Sequence, residues 1–157
     1  DACGRGIQQA EQYAVHAEDL RSRAADYCAL SRQKLSAGTN LTAADYVRAT
    51  QQRQRLRVAF AGALEGFDAL ITLSGLSVPC RIDDPEAIAR TYMRHARMPF
   101  NVTGTPALAV PTGFTDDGLP LGMQVAGRAW DEALLYRIAW AYESATGWTK
   151  RRPPMTG

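Results

Sequence analysis

The stretch NVTGTPALAVPTGFTDDGLPLGMQVAGR, Asn101 to Arg128, decides the fold. Two short apolar runs, Ala107 to Val110 and Leu121 to Ala126, flank a loop of turn formers. Two such runs joined by a Gly/Asp-rich connection read as a β-hairpin or a close antiparallel pair. Asp117-Gly118 is the expected turn, because glycine reaches positive φ without steric cost. Pro106 and Pro111 bracket the first strand. Proline has no backbone donor, so both are expected at strand ends or bulges. Ahead of the strand, Asn101, Thr103, Gly104 and Thr105 read as a polar loop running into the sheet. Such loops on a rigid strand base carry binding groups. Local chemistry alone makes these four residues turn formers.

Outward from this stretch, Phe67 to Leu73 (FDALITL) reads as a further strand, followed by the Ser/Gly loop SGLSVP. The three strands are expected to share one sheet covered by helices, which makes the class mixed α/β. Asp131 opens the last helix. Its expected buried stripe is Leu134, Leu135, Ile138, Ala141, Tyr142 and Ala145, and Gly147 stands where a left-handed C-terminal cap belongs. Asp84-Pro85-Glu86 reads as a helix start, with a capping carboxylate and a proline whose missing donor costs nothing there. That helix is expected to stop before Met98-Pro99.

The first 66 residues are helical in pattern. From Ile7 to Lys34 one helix is expected, because Tyr13, Ala17, Leu20, Ala24, Tyr27 and Leu30 recur in steps of three and four. Gly38 and Asn40 break it. Thr42 with Asp45 three residues on is a short relative of the capping box. Tyr46, Ala49, Leu56, Phe60 and Leu64 then mark one face of a second helix that ends near Gly66. Arg53 interrupts that face.

Bulk composition excludes several functions. At 157 residues the chain reads as one domain, 1–157, able to bury roughly 70% of its unfolded surface. Hydrophobic residues at 46% and charged residues at 22% are ordinary for a globular protein. No apolar run is long enough to span a bilayer, and no signal-peptide pattern is present. The start at Asp1 rather than Met suggests a cut or processed chain. Cys3, Cys28 and Cys80 are odd in number and lack C-x-x-C spacing, so neither a disulfide framework nor a zinc site is expected, and a reducing cytoplasm fits. Neither a metal nor a cofactor is expected, for no phosphate loop, dinucleotide fingerprint or EF-hand pattern occurs. The net charge of +2 argues against a nucleic-acid partner. Arg48, Arg53, Arg55 and Arg57 lack interleaved aromatics and read as a solvated helix face.

Nucleophilic chemistry has little support from the residues. Ser74 and Ser77 lie in SGLSVP, which lacks the G-x-S-x-G spacing of a nucleophile elbow. His16 and His95 are the only histidines. Both are expected on charged helices and exposed, so Cys28 and Cys80 have no evident base.

Taken together, NVTGTPA, AVPTGF, GLPLGMQVAGR and WDEALLYRIAWAYESATGW, in that order and at close spacing, resemble the C-terminal part of the amidase signature hydrolases. Weaker likeness extends upstream through TAADYVRATQQRQRLRVAFAGALEGFDALITLSG and fades before about Tyr13. The resemblance implies a mixed sheet covered by helices, and hydrolysis of carboxylic amides through an acyl-enzyme. In the family a serine attacks, and a second serine held by a cis peptide relays its proton to a lysine. Neither the Gly/Ser-rich serine segment nor the catalytic lysine is present, since Lys34 and Lys150 stand in the wrong contexts. No catalytic residue is therefore expected here. What is expected is a portion that supplies strands and one wall of the substrate cleft, with Asn101, Thr103, Gly104 and Thr105 facing a small amide substrate. The expected partner is the remaining N-terminal part of the amidase, and self-association into a homo-oligomer is expected through open sheet edges. Three departures stand out: TLSGLSVP replaces a T-P-T-x-P-like run, Thr112 stands where cysteine is frequent, and RMPFN differs slightly from the more usual threonine-bearing version. The alternatives are a non-catalytic amidase-like binding or structural subunit, and a component of a tRNA-dependent amidotransferase.

Overall fold

The computed structural model describes residues 2–92 and 96–152. Its backbone contacts divide into two compact units, Asp1–Phe60 and Ala61–Gly157.

The first unit is helical. It comprises α1 (Ala2–Ser22), α2 (Ala29–Ser36) and most of α3 (Ala43–Ala63). The single helix expected over Ile7 to Lys34 is broken. The chain leaves α1 at Arg23, makes a 3-10 turn over Ala24–Asp26, and is extended at Tyr27 and Cys28 before α2 begins. The sequence has no Gly or Pro here to announce the break. Side chains supply what the helix gives up. The Arg32 guanidinium donates to the carbonyl of Tyr27 (2.8 Å) and to that of Ala24 (3.1 Å), which also accepts from the Tyr27 N–H. The Tyr27 hydroxyl is anchored back on α1 by Asp19 and His16. After α2, a second 3-10 turn over Ala37–Asn40 presses on α1. A Cβ at Gly38 would lie 2.3 Å from the Gln9 carbonyl oxygen, so only glycine fits. The expected cap of α3 forms: Thr42 Oγ1 accepts from the Asp45 N–H (3.1 Å), and Asp45 Oδ2 accepts from the Thr42 N–H (2.9 Å). Arg48, Arg55 and Arg57 are exposed on α3 and Arg53 is half-buried.

The second unit is α/β, as the sequence suggests. It holds β1 (Leu70–Leu73), α4 (Pro85–Thr91), α5 (Met98–Thr103), β2 (Ala107–Phe114), β3 (Pro120–Ala126) and α6 (Glu132–Thr146). The three strands share one sheet in the order β1-β3-β2, antiparallel throughout. β1 is shorter than the expected Phe67 to Leu73, because Gly66 at φ 81° turns the chain and Phe67 bonds back to Leu64. β2 and β3 form the hairpin, with Gly118 at φ 86° in the turn. Pro111 sits at a bulge: it pairs with Gly122, Gly113 pairs with Leu121, and Thr112 is the extra residue.

The register puts Leu108, Val110, Met123 and Val125 on one face, and α6 covers them with Leu135, Ile138, Ala139 and Tyr142. Val125 is fully buried. The expected stripe of α6 is thereby corrected. Ala141 and Ala145 are exposed, while Ala139, one turn beyond Leu135, is buried. Asp131 stands at the N-cap but caps through its backbone carbonyl, with no side-chain bond. Gly147 closes the helix at φ 68°.

Two polar side chains stitch the sheet to its surroundings. Gln124, only 3% exposed, points away from α6. Its amide donates to Thr72 Oγ1, the Leu73 carbonyl and the Ala96 carbonyl, each at 3.0 Å. Arg128, just past β3, donates to the carbonyls of Leu64 (3.1 Å) and Phe67 (2.6 Å) and so fixes the turn into β1.

Candidate functional site

A cleft of about 550 Å³ opens in the second unit where the loop after β1 meets the start of β3. Leu73 to Cys80 form one side. The C-terminal end of α4 contributes Thr91 and Tyr92, and Arg97 precedes α5. Pro120, Leu121 and Gly122 form the floor together with Thr112. The bulge explains Thr112: an extra residue on one strand re-aims its side chain out of the alternating pattern.

Local hydrogen bonds build this geometry. Ser74 continues β1 by donating both its N–H (3.2 Å) and its hydroxyl (3.0 Å) to the Gly122 carbonyl. Its carbonyl accepts from the Ala96 N–H (3.3 Å). Gln124 holds the Ala96 carbonyl from the other side. The backbone of Arg97 is therefore pinned on both flanks, since its own carbonyl accepts from Phe100 and Asn101 at the start of α5. Asp84 caps α4 as expected, accepting from the Ala87 N–H at 2.8 Å, and the helix ends at Thr91. The helix thus stops before Met98-Pro99, as expected, and Met98-Pro99 itself opens α5, with proline in the first turn.

That second helix corrects the reading of the Asn101 loop. Asn101 and Thr103 lie in the last turn of α5, and Gly104, at φ 69°, is its left-handed cap. Thr103 is 5% exposed. Its hydroxyl lies 2.9 Å from the Pro99 carbonyl, 3.3 Å from the Phe100 carbonyl and 2.9 Å from Thr105 Oγ1. The N–H groups of Gly104 and Thr105 both donate to Phe100. Asn101 is exposed. None of the four lines the described cleft.

Nucleophile and base are not brought together among the described residues. Ser74 gives its proton to a backbone carbonyl, and neither lysine lines the cleft. His16 is bonded to Tyr27, and His95 lies outside the described residues. Cys80 accepts a bond from Thr91 (3.4 Å). The Cys28 thiol, exposed beside Ser31, is lowered from its ordinary value chiefly by the hydrogen bond from that serine. No group of three or more His, Cys, Asp or Glu side chains among the described residues could hold a metal ion. Among the described residues no helix is long and apolar enough to cross a membrane.

Residue-level reasoning passed over Gln124, Arg97 and Arg128. A buried amide in the apolar run LGMQVA was the signal for Gln124, since a polar residue in a buried strand requires partners.

The amidase family profile matches residues 9–136. The chain belongs to the amidase family. It is 36% identical over 148 residues to AmiD of Mycobacterium tuberculosis H37Rv, whose name assigns it provisionally to the amidases; 90% of this chain and 31% of that protein are covered. A fatty acid amide hydrolase of Medicago truncatula is 35% identical over 130 residues, covering 78% of this chain and 21% of its own length. A glutamyl-tRNA(Gln) amidotransferase subunit from Lysinibacillus sphaericus is 36% identical over 130 residues, covering 80% and 26%. The chain thus spans less than a third of each. Among solved structures, an amidase superposes with a TM-score of 0.74 at 26% identity, over 87% of this chain and 33% of that one.

Proposed function

We propose that this chain is the C-terminal portion of an amidase signature hydrolase that cleaves carboxylic amide C–N bonds. It contributes sheet strands and part of the substrate cleft, while the catalytic serines and lysine come from a preceding N-terminal portion. One observation carries the reading: the cleft and an open sheet edge are built, yet no hydroxyl in the cleft has a base beside it among the described residues. Acyl transfer needs a nucleophile, a base and oxyanion donors preorganised together. The cytoplasm is the compartment we assign, since Cys3, Cys28 and Cys80 are unpaired thiols.

In the complete enzyme the turn from Asn101 to Thr105 borders the substrate. Asn101 offers its exposed amide, while Thr103, Gly104 and Thr105 hold the turn in place. Replacing Asn101 by Ala is expected to change KM or kcat with stability intact, whereas Thr103→Ala lowers stability. Unchanged kinetics for Asn101→Ala would leave the turn structural only.

The direct test is to incubate the purified chain with aryl and aliphatic amides, alone and joined to the N-terminal portion. Hydrolysis only in the joined form supports the proposal. Turnover by the chain alone that disappears in Ser74→Ala or Ser77→Ala overturns it. A second reading, membership of a tRNA-dependent amidotransferase, is favoured by the likeness to the Lysinibacillus sphaericus protein. Its mark is amidation of glutamyl-tRNA with glutamine as donor, through phosphate contacts that weaken as salt rises.

A further inference from the structure

We infer that Arg97 selects the substrate, and that the amide taken by this cleft carries a carboxylate. The inference rests on the hydrolase reading for the word substrate, but its observations are independent of catalysis. Among the described residues Arg97 is the only charged side chain lining the cleft. Its guanidinium has no hydrogen-bond or ion-pair partner among the described residues. No carboxylate among the described residues lines the cleft to neutralise it.

The rest of the lining sharpens the class. Of the hydroxyl-bearing residues, Ser74 is committed to Gly122, Thr91 is committed to Ala87 and Cys80, and Tyr92 has an interaction of its own. Thr112, aimed by the bulge, and Ser77 have no such commitment among the described residues. One guanidinium and two uncommitted hydroxyls make a donor-rich set. The walls beside them are apolar, with Leu73, Val78, Pro79 and Leu121. An anion with paired acceptor oxygens and an apolar body fits this set, because arginine matches carboxylate geometry bidentately.

The position is preorganised as well as charged. Ala96 is held by Ser74 and Gln124, and the Arg97 carbonyl is held by the first turn of α5. A fixed Cα beneath a charged side chain is what a ligand-orienting arginine needs, since less freedom is lost on binding.

The test uses benzoylglycine, an amide bearing a carboxylate, and benzoylglycinamide, its neutral counterpart. Each is titrated into the chain and followed by amide NMR shifts at Ser74, Thr112 and Leu121. Benzoylglycine is expected to bind saturably, and about tenfold or more weaker in Arg97→Gln. Arg97→Lys should fall between, because an ammonium keeps the charge but loses the fork. Benzoylglycinamide is expected to respond equally little in all three. Binding should also weaken as salt is raised. The inference is overturned if Arg97→Gln binds benzoylglycine as native does, if the neutral amide binds as well as the acid, or if neither shifts these signals. A native-like spectrum for Arg97→Gln separates lost binding from lost fold. None of these readouts needs turnover. Arg97-dependent binding with no hydrolysis in the complete enzyme would refute the hydrolase reading and leave the carboxylate site standing.

Discussion

Replacing Gln124 by Leu removes the most connected polar group in the sheet while nearly keeping its volume. The amide NH2 has two hydrogens and serves three acceptors at 3.0 Å, so one hydrogen is shared. Thr72 Oγ1 also donates to the Leu73 carbonyl (3.1 Å), so that acceptor keeps a partner. The Ala96 carbonyl has no second donor among the described residues. A lost bond contributes about 1 kcal/mol, and an orphaned buried acceptor costs about 1–3 kcal/mol. The sum, reduced for the extra apolar burial of Leu, is about 2–3 kcal/mol. At 1.4 kcal/mol per tenfold, local opening should become about 30- to 150-fold more frequent. Native-state hydrogen exchange at Ser74 and Ala96, whose N–H groups donate to Gly122 and Ser74, reads this directly. Gln124→Glu should be worse at neutral pH, because a carboxylate then faces three acceptors. Its folded pKa is raised above the ordinary value, so its penalty grows as pH rises and relaxes as the carboxyl is protonated. A Gln124→Leu protein within about 0.5 kcal/mol of native, with unchanged exchange at Ala96, would refute the reasoning.

Three further outcomes follow from the same geometry. Arg128→Ala should cost about 1–2 kcal/mol by releasing the Leu64 and Phe67 carbonyls, read as earlier urea unfolding of the sheet unit; no change there would mean that water replaces the guanidinium fully. The Thr42 hydroxyl and N–H, then the Arg48 guanidinium, hold Asp45 down to about 2 from 3.8. A lowered folded pKa stabilises above the ordinary value and is lost as pH falls, so the start of α3 should fray between about pH 4 and pH 2; a carboxyl NMR midpoint at 3.8 would contradict this. The chain alone should associate through β1, where Ile71 and Leu73 are each 59% exposed on an open edge; Ile71→Lys with Leu73→Lys should reduce the association seen by sedimentation, and a clean native monomer at high concentration would count against it.

The sheet was legible because its signals were local. Two short apolar runs, the Asp117-Gly118 turn and the two prolines pointed to the hairpin, and Pro111, expected at a strand end or a bulge, sits at the bulge that aims Thr112. Helix starts at Thr42 and Asp84 were legible for the same reason, as each cap lies within three residues of its partner. The break at Arg23 was hidden, because it is held by Arg32 and Tyr27 from five or more residues away and no Gly or Pro marks it. α5 was missed because a six-residue helix has too few turns to show a period, so its last turn read as a loop. The cleft escaped prediction for a related reason. It joins residues from Leu73 to Gly122 across four segments, and Arg97 stands in no pattern that marks it. The family motifs spoke for the amidase assignment, not for the cleft's lining.

The most direct test asks whether the catalytic serine lies outside these 157 residues. The complete polypeptide should be treated with a fluorophosphonate that labels activated serines, then digested, and the labelled peptide sequenced by mass spectrometry. One label is expected, on a serine of the N-terminal portion, and none on this chain when it is treated alone. Stoichiometric label on Ser74 or Ser77 would contradict this expectation.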